Sequence, residues 1–180
     1  EGMSFKQGFV SGYFASDRTR MEVALRDPAV LLTDRKISSF DDDLVPILSL
    51  AKESEGKGRG LLIISDGIER APLSSLVVNR VRGKSNVVVV QAPGFADRRQ
   101  LMLSDLAVLT GGHVISGERG NSFGKATMET LGKALKVVVT KEVTSVVSDS
   151  NVKGVLSRCK RLRRQLESSD STYEREKLME

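Results

Sequence analysis

Short runs of aliphatic and β-branched residues recur along the chain, separated by polar turns and by segments with helical spacing. Several of these runs contain no polar position, which is typical of strands that are covered on both faces. The pattern predicts strands at 29–32, 61–64, 87–90, 114–115 and 137–139. Residues 143–147 are expected to return beside the last of these strands as a hairpin.

Between these runs, apolar residues recur at spacings of three and four, which predicts amphipathic helices. The predicted helices cover residues 44–51, 71–83, 101–109, 126–135 and 152–166. Gly111 is a typical terminator for the third helix, and three glycines within 56–60 predict a flexible connection. The alternation of strands and helices predicts an α/β domain whose sheet is at least partly parallel.

Two of the predicted helices carry more apolar residues than one buried face requires. The five apolar residues of the second helix cover about 200° of its circumference, whereas a surface helix needs a stripe from about 100° upward. These residues are Leu73, Leu76, Val77, Val78 and Val81. Val45 likewise lies off the apolar stripe of the first helix. The surplus residues either belong to the core or form an exposed apolar patch of the kind that binds other proteins.

An unusual aromatic cluster lies near the beginning of the sequence. Phe9, Tyr13 and Phe14 fall within six residues, in a chain of which only 4% is aromatic. Gly8 and Gly12 flank the first two of these aromatic residues, which predicts an irregular loop rather than a strand. The same two interpretations, core and exposed patch, apply to this loop.

Composition and charge narrow the function only slightly. The chain has 28 Lys and Arg against 23 Asp and Glu, and this net charge of +5 does not by itself require a nucleic-acid partner. The single cysteine, Cys159, cannot form an internal disulfide, which favours a reducing compartment. Its place on the apolar stripe of the last predicted helix favours core packing over nucleophilic chemistry. No apolar run approaches the length of a membrane span.

The sequence also lacks the patterns that catalysis and metal binding require. His113 is the only histidine, so we expect a surface or packing residue, and no His/Cys cluster supports a zinc site. No glycine-rich phosphate-binding loop is present. Asp41, Asp42 and Asp43 lack the spacing of a calcium loop and are expected to form a solvated turn that caps a helix. We therefore expect neither enzymatic activity nor a cofactor.

A basic face on the last predicted helix supports an alternative function. Six basic residues fall between 153 and 164: Lys153, Arg158, Lys160, Arg161, Arg163 and Arg164. Such a face can contact the phosphates of a nucleic acid. It is equally an ordinary solvated helix surface, because no aromatic platform or base-reading motif accompanies it. Nucleic-acid binding through this helix remains the alternative function.

A series of short motifs runs through the chain in a fixed order. They are Gly-Phe-Val-Ser at 8–11, Leu-Leu-Thr-Asp at 31–34, Leu-Val-Val-Asn at 76–79, Gln-Ala-Pro-Gly-Phe at 91–95 and Leu-Thr-Gly-Gly at 109–112. In this order the motifs resemble the apical, substrate-binding domain of the group I chaperonins of bacteria and organelles. The resemblance covers essentially all 180 residues.

The resemblance implies a layered β/β/α fold within the α/β class, in which two surface helices form an apolar groove. It further implies that the aromatic loop and these helices bind non-native polypeptides and the mobile loop of a cochaperonin. The implied binding residues are Phe9, Ser11, Tyr13, Phe14, Val45, Leu48, Leu73, Val77, Val78 and Asn79. Ser11 and Asn79 are the polar members of this set.

The resemblance also implies that residues 1–180 are a single apical domain of a longer chaperonin, and the first methionine, Met3, favours the same interpretation. The parent protein would form a seven-membered ring with other chaperonin subunits. It would hydrolyse ATP with Mg²⁺ in an equatorial domain outside this sequence. The implied compartments are the bacterial cytoplasm, the mitochondrial matrix and the chloroplast stroma.

Several positions depart from the family pattern, among them 70–72, where the resemblance implies acidic residues that this chain lacks. Phe9 replaces a tyrosine, Gly12 replaces a proline, and Ala96 replaces a glycine. The chain is also basic, whereas typical members of the family are acidic. These differences leave the implied groove intact, but they leave open whether the ring is homo-oligomeric and whether the chain is a specialised member.

Overall fold

A computed structural model describes residues 2–116 and 123–149, and within them the chain forms an α/β fold with parallel and antiparallel sheets. The strands are β1 (Gly2–Phe5), β2 (Glu22–Arg26), β3 (Ala29–Thr33), β4 (Lys36–Ile37), β5 (Leu61–Ser65), β6 (Gly67–Ile68), β7 (Val87–Gln91), β8 (Val114–Ile115), β9 (Gly132–Lys133), β10 (Lys136–Thr140) and β11 (Thr144–Val147). The helices are α1 (Val45–Gly56), α2 (Arg70–Val81) and α3 (Ala96–Thr110). No helix of the described residues is both long and apolar enough to cross a membrane.

The central sheet has the strand order β7-β5-β3-β8, and all neighbours in this order are parallel. Every residue of β3 and β5 is buried, as are the four valines of β7. The three longest apolar runs of the sequence therefore lie side by side in the core. This arrangement confirms the predicted strands and their coverage on both faces, because a run without polar positions can only avoid water in this way.

A second sheet is antiparallel, with the order β1-β11-β10-β2. The β10–β11 pair is the predicted hairpin. In β10, Val137 and Val139 are buried while Val138 is only partly buried, so one face of this sheet packs on the core. The segment from Gly8 to Val10 joins the two sheets, because Phe9 N–H donates to the Thr140 carbonyl (3.2 Å) and Val10 N–H donates to the Val89 carbonyl (3.0 Å).

One of the sequence-based predictions of local structure was wrong. Residues 126–135 do not form a helix, because Gly132 and Lys133 pair with β3 as strand β9 and the preceding residues form turns. The glycine-rich segment predicted at 56–60 begins with the last residue of α1 and continues as a turn. The Ser54 hydroxyl donates to the Arg59 carbonyl (3.0 Å), and Arg59 N–H donates to the Ser54 carbonyl (3.0 Å). By contrast, Gly111 ends α3 with φ 75°, the left-handed conformation predicted there.

The acidic turn before α1 is only partly solvated. Residues Phe40–Leu44 form a π-helical turn, in which Asp41 and Asp42 are exposed but Asp43 is buried. The Asp43 carboxylate accepts hydrogen bonds from the backbone N–H groups of Ser38 (2.9 Å) and Ser39 (3.0 Å) and lies 3.7 Å from the guanidinium of Arg35. Asp43 therefore fixes the start of α1.

Replacement of Asp43 with alanine is expected to destabilise the domain by about 2–3 kcal/mol, because two partly buried hydrogen bonds to a buried carboxylate are lost. Urea unfolding followed by circular dichroism measures this loss. Asp41→Ala is the matched control, since Asp41 is exposed and its removal should change stability by less than about 0.5 kcal/mol. Equal stability of the two variants would show that the Asp43 contacts contribute nothing.

Candidate functional site

The aromatic loop presents only one of its three rings to solvent. Residues Gly12–Phe14 form a 3-10 turn, which the Ser11 hydroxyl caps by accepting a hydrogen bond from Tyr13 N–H (3.3 Å). Within this turn Tyr13 is 61% exposed, whereas Phe14 is fully buried. Phe9 is also buried, in a bridge that pairs its backbone with Val90 of β7.

Phe9 and Phe14, two members of the binding set that the sequence resemblance implied, are buried in this structure. Both rings belong to the hydrophobic core, because the segment that carries them is hydrogen bonded to β7 and β10. A partner cannot contact either ring without displacing it from the core. Ser11 is partly buried, and its hydroxyl is already engaged in the cap, so its clearest role in the structure is to shape the turn.

The surplus apolar residues of helix α2 differ in how far each side chain is exposed to solvent. Leu76 is completely buried, and Leu73 and Val77 are partly buried against the core. Val78 is 43% exposed and Val81 is 57% exposed. The two exposed valines are three residues apart, so they lie on the same side of the helix.

Helix α1 shows the same division between a buried and an exposed side. Leu44, at the end of the π-helical turn, and Ile47 are completely buried, so they anchor this segment to the core. Val45 is 45% exposed, and Leu48 is partly buried. Val45 and Leu48 are three residues apart and therefore share one side of the helix.

Specific contacts hold these elements next to one another. The Arg80 guanidinium of α2 donates from Nε to the carbonyl oxygen of Phe14 (2.9 Å), which fixes the aromatic loop against the helix. Partial burial lowers the pKa of Arg80 from its ordinary value, but an arginine stays charged at neutral pH. Helix α2 also contacts the π-helical turn that leads into α1. The loop, the turn and α2 are thus neighbours on the surface.

We use the name apolar face for seven exposed or partly buried apolar residues of the aromatic loop, α1 and α2. Its members are Tyr13, Val45, Leu48, Leu73, Val77, Val78 and Val81. All but Val81 were in the set implied by the resemblance, and Asn79 of that set is partly buried on α2.

Phe40 is a residue that the sequence reasoning missed. Its side chain is 60% exposed on the π-helical turn. In the sequence it stands between Ser39 and Asp41, before the predicted helix at 44–51, although Leu44 and Ile47 follow it at spacings of four and seven residues. Val81 was counted among the apolar residues of the second predicted helix, but spacing alone does not show that Val81 is more exposed than its apolar neighbours. An exposed phenylalanine beside α2 extends the apolar character of this region.

The described residues contain few other groups that could form a metal site or a catalytic site. They contain no group of three or more His, Cys, Asp and Glu side chains placed to hold a metal ion, and His113 is exposed, as expected for a surface residue. Cys159 and the predicted basic helix of residues 153–164 lie outside the described residues. No protein-family model matches the chain.

Proposed function

We propose that this chain is the apical domain of a group I chaperonin and that its apolar face binds exposed apolar segments of non-native polypeptides. The observation that carries the proposal is a set of large apolar side chains that are exposed on neighbouring elements and do not belong to the buried core. They are Tyr13, Val45, Val78 and Val81. Large exposed apolar side chains that cluster are the usual mark of a protein-binding surface. The proposal includes the layered β/β/α architecture that the resemblance implies.

The binding mechanism is removal of apolar surface from water. A valine-sized side chain that becomes fully buried contributes roughly 1.5–3 kcal/mol, and this contribution has no directional requirement. The surface can therefore accept many sequences. Association also costs translational freedom, so a few such contacts produce weak binding by a single domain. In a seven-membered ring, several copies would engage one client and raise the overall affinity.

The backbone at Ala96 supports the resemblance independently of the apolar face. Ala96 begins α3 with φ 46°, which lies in the left-handed region. A residue with a Cβ atom is disfavoured in this conformation, whereas glycine adopts it freely. The chaperonin pattern has glycine at this position. Glycine, which the family carries at this position, therefore suits the backbone conformation better than the alanine of this chain.

The remaining parts of the proposal concern the parent protein. A cochaperonin mobile loop would compete with clients for the apolar face. ATP and Mg²⁺ would bind an equatorial domain outside this sequence, and the resulting ring would release the client into a closed cavity. This chain would itself neither bind nucleotide nor catalyse a reaction.

The full chain is expected to bind a permanently unfolded, reduced client protein. It should show no measurable binding to the native, disulfide-bonded form of the same protein. Fluorescence anisotropy of the labelled client measures both affinities. Because the contacts are apolar, the affinity for the reduced client should change by less than about threefold between 50 and 500 mM salt, and the heat capacity of binding should be negative.

The same titration separates the two candidate functions. Binding through the basic helix at 153–164 would favour single-stranded RNA over the unfolded client and would weaken steeply with salt. Absence of any affinity for the reduced client, at concentrations up to the millimolar range, would contradict the chaperone proposal.

A further inference from the structure

A cleft adjoins the apolar face where the aromatic loop meets the C-terminal ends of α1 and α2. Its volume is about 480 Å³. Two members of the apolar face, Tyr13 and Val81, form part of its wall, together with Glu55 of α1 and the turn that follows α2. A chain segment that covers Val78 and Val81 can therefore continue into the cleft.

The polar part of the cleft wall is predominantly basic. Arg18, Arg80 and Lys84 line it, against the single carboxylate of Glu55. That carboxylate already accepts a hydrogen bond from Asn86 N–H (2.5 Å), so part of its acceptor capacity is used. Arg18 lies above the Tyr13 ring, with its guanidinium carbon 5.8 Å from the ring centre.

Three of the last carbonyl groups of α2 are already engaged in hydrogen bonds. The carbonyls of Val78, Asn79 and Arg80 accept hydrogen bonds from the backbone N–H groups of residues 82–85. Arg80 itself uses Nε for the Phe14 carbonyl and donates from one terminal nitrogen to the Asn86 side chain (2.6 Å). These two bonds fix the guanidinium in place at the base of the basic wall.

We propose that this cleft selects apolar segments that carry an acidic side chain next to their apolar anchors. The apolar anchors lie on Tyr13, Val78 and Val81, and the carboxylate reaches Arg18 and Lys84. The inference rests on the proposed function and adds a substrate class to it. Its basis is charge complementarity, because three cations and one engaged carboxylate line an entry that also exposes the apolar side chains of Tyr13 and Val81. Arg80 acts as a positioning residue that holds the loop and the helix end together.

Three fluorescent peptides test the inference by anisotropy with the full chain. The first carries an apolar core flanked by Asp and Glu, the second has the same core flanked by Asn and Gln, and the third has the acidic residues in a Gly-Ser sequence without the core. The first peptide should bind about fivefold to tenfold more tightly than the second, since exposed ion pairs contribute roughly 0.2–1 kcal/mol each. The third should not bind measurably.

Two double variants locate the effect. The first is Arg18→Gln/Lys84→Gln, in which both replaced residues are exposed. In this variant the preference for the acidic peptide should disappear, while the affinity for the amide peptide should stay the same. Arg26→Gln/Lys136→Gln removes the same charge from the antiparallel sheet, outside the cleft, and should retain the preference. Raising the salt from 50 to 500 mM should abolish the preference in the unmodified chain.

The outcomes separate this inference from the function on which it rests. Equal binding of the acidic and amide peptides would overturn the acidic preference and leave the chaperone proposal standing. Tight binding of the Gly-Ser peptide would also overturn it, because charge alone would then be sufficient. Failure of both apolar peptides to bind would contradict the proposed function itself.

Discussion

Val78→Glu is expected to weaken binding of an unfolded client by at least about tenfold, which corresponds to ~1.4 kcal/mol. Val78 is 43% exposed on α2, so a glutamate there remains hydrated in the free protein. When a client covers this position, the carboxylate must lose water without gaining a partner, and that desolvation opposes binding. The melting temperature should change by less than about 2 °C, since the core is untouched.

A matched control separates loss of the apolar face from a general effect of added charge. Val147 has nearly the same exposure, 44%, but it lies on β11 of the antiparallel sheet. Val147→Glu should therefore bind the client as the unmodified chain does. Anisotropy and thermal unfolding of both variants provide the comparison. Equal loss of binding in the two variants would show that the surface around Val78 has no special role.

The burial of the neighbouring residues makes Val78 a sharper probe than Leu73 or Val77. Both of these side chains are partly buried and pack against the core. A glutamate at either position would be partly withdrawn from water in the folded state and would lower stability as well as affinity. The surplus of apolar residues on α2 is visible in the sequence, but the order of exposure within it depends on how the helix is rotated against the sheet.

The central strands could be predicted because their sequences permit only one environment. The runs that became β3, β5 and β7 contain no polar side chain that could face water, so burial on both faces was the only option. Strands β1 and β2 escaped prediction because they are short and mix polar with apolar residues. Their pairing is decided by β10 and β11, which are more than 100 residues away along the chain.

The candidate site was predictable at the level of elements and less so at the level of single side chains. Spacing indicated surplus apolar residues on two helices and a loop, and in the structure α2 contacts both the loop and the turn that leads into α1. Spacing cannot tell which of two adjacent aromatic residues turns inward. That choice is made by the 3-10 turn at Gly12–Phe14 and by the bond from Arg80 to the Phe14 carbonyl, both of which depend on tertiary contacts.

Adjacent substitutions in this turn are therefore expected to have opposite consequences. Phe14→Ala should lower the free energy of unfolding by about 3–5 kcal/mol, because it empties a completely buried aromatic site. Tyr13→Ala should change stability by less than about 1 kcal/mol, since the ring is largely exposed and contributes mainly its contact with Arg18. It should instead weaken client binding severalfold, because it removes a large contact surface from the apolar face.

Urea unfolding measures the stability of both variants, and anisotropy at a temperature where each is folded measures client affinity. At that temperature Phe14→Ala should bind the client nearly as well as the unmodified chain, because its ring does not contribute to the surface. If Phe14→Ala kept full stability and lost binding, the Phe14 ring would have to leave the core to meet the client. The aromatic loop would then rearrange on binding, and the wider set implied by the resemblance would describe the bound form.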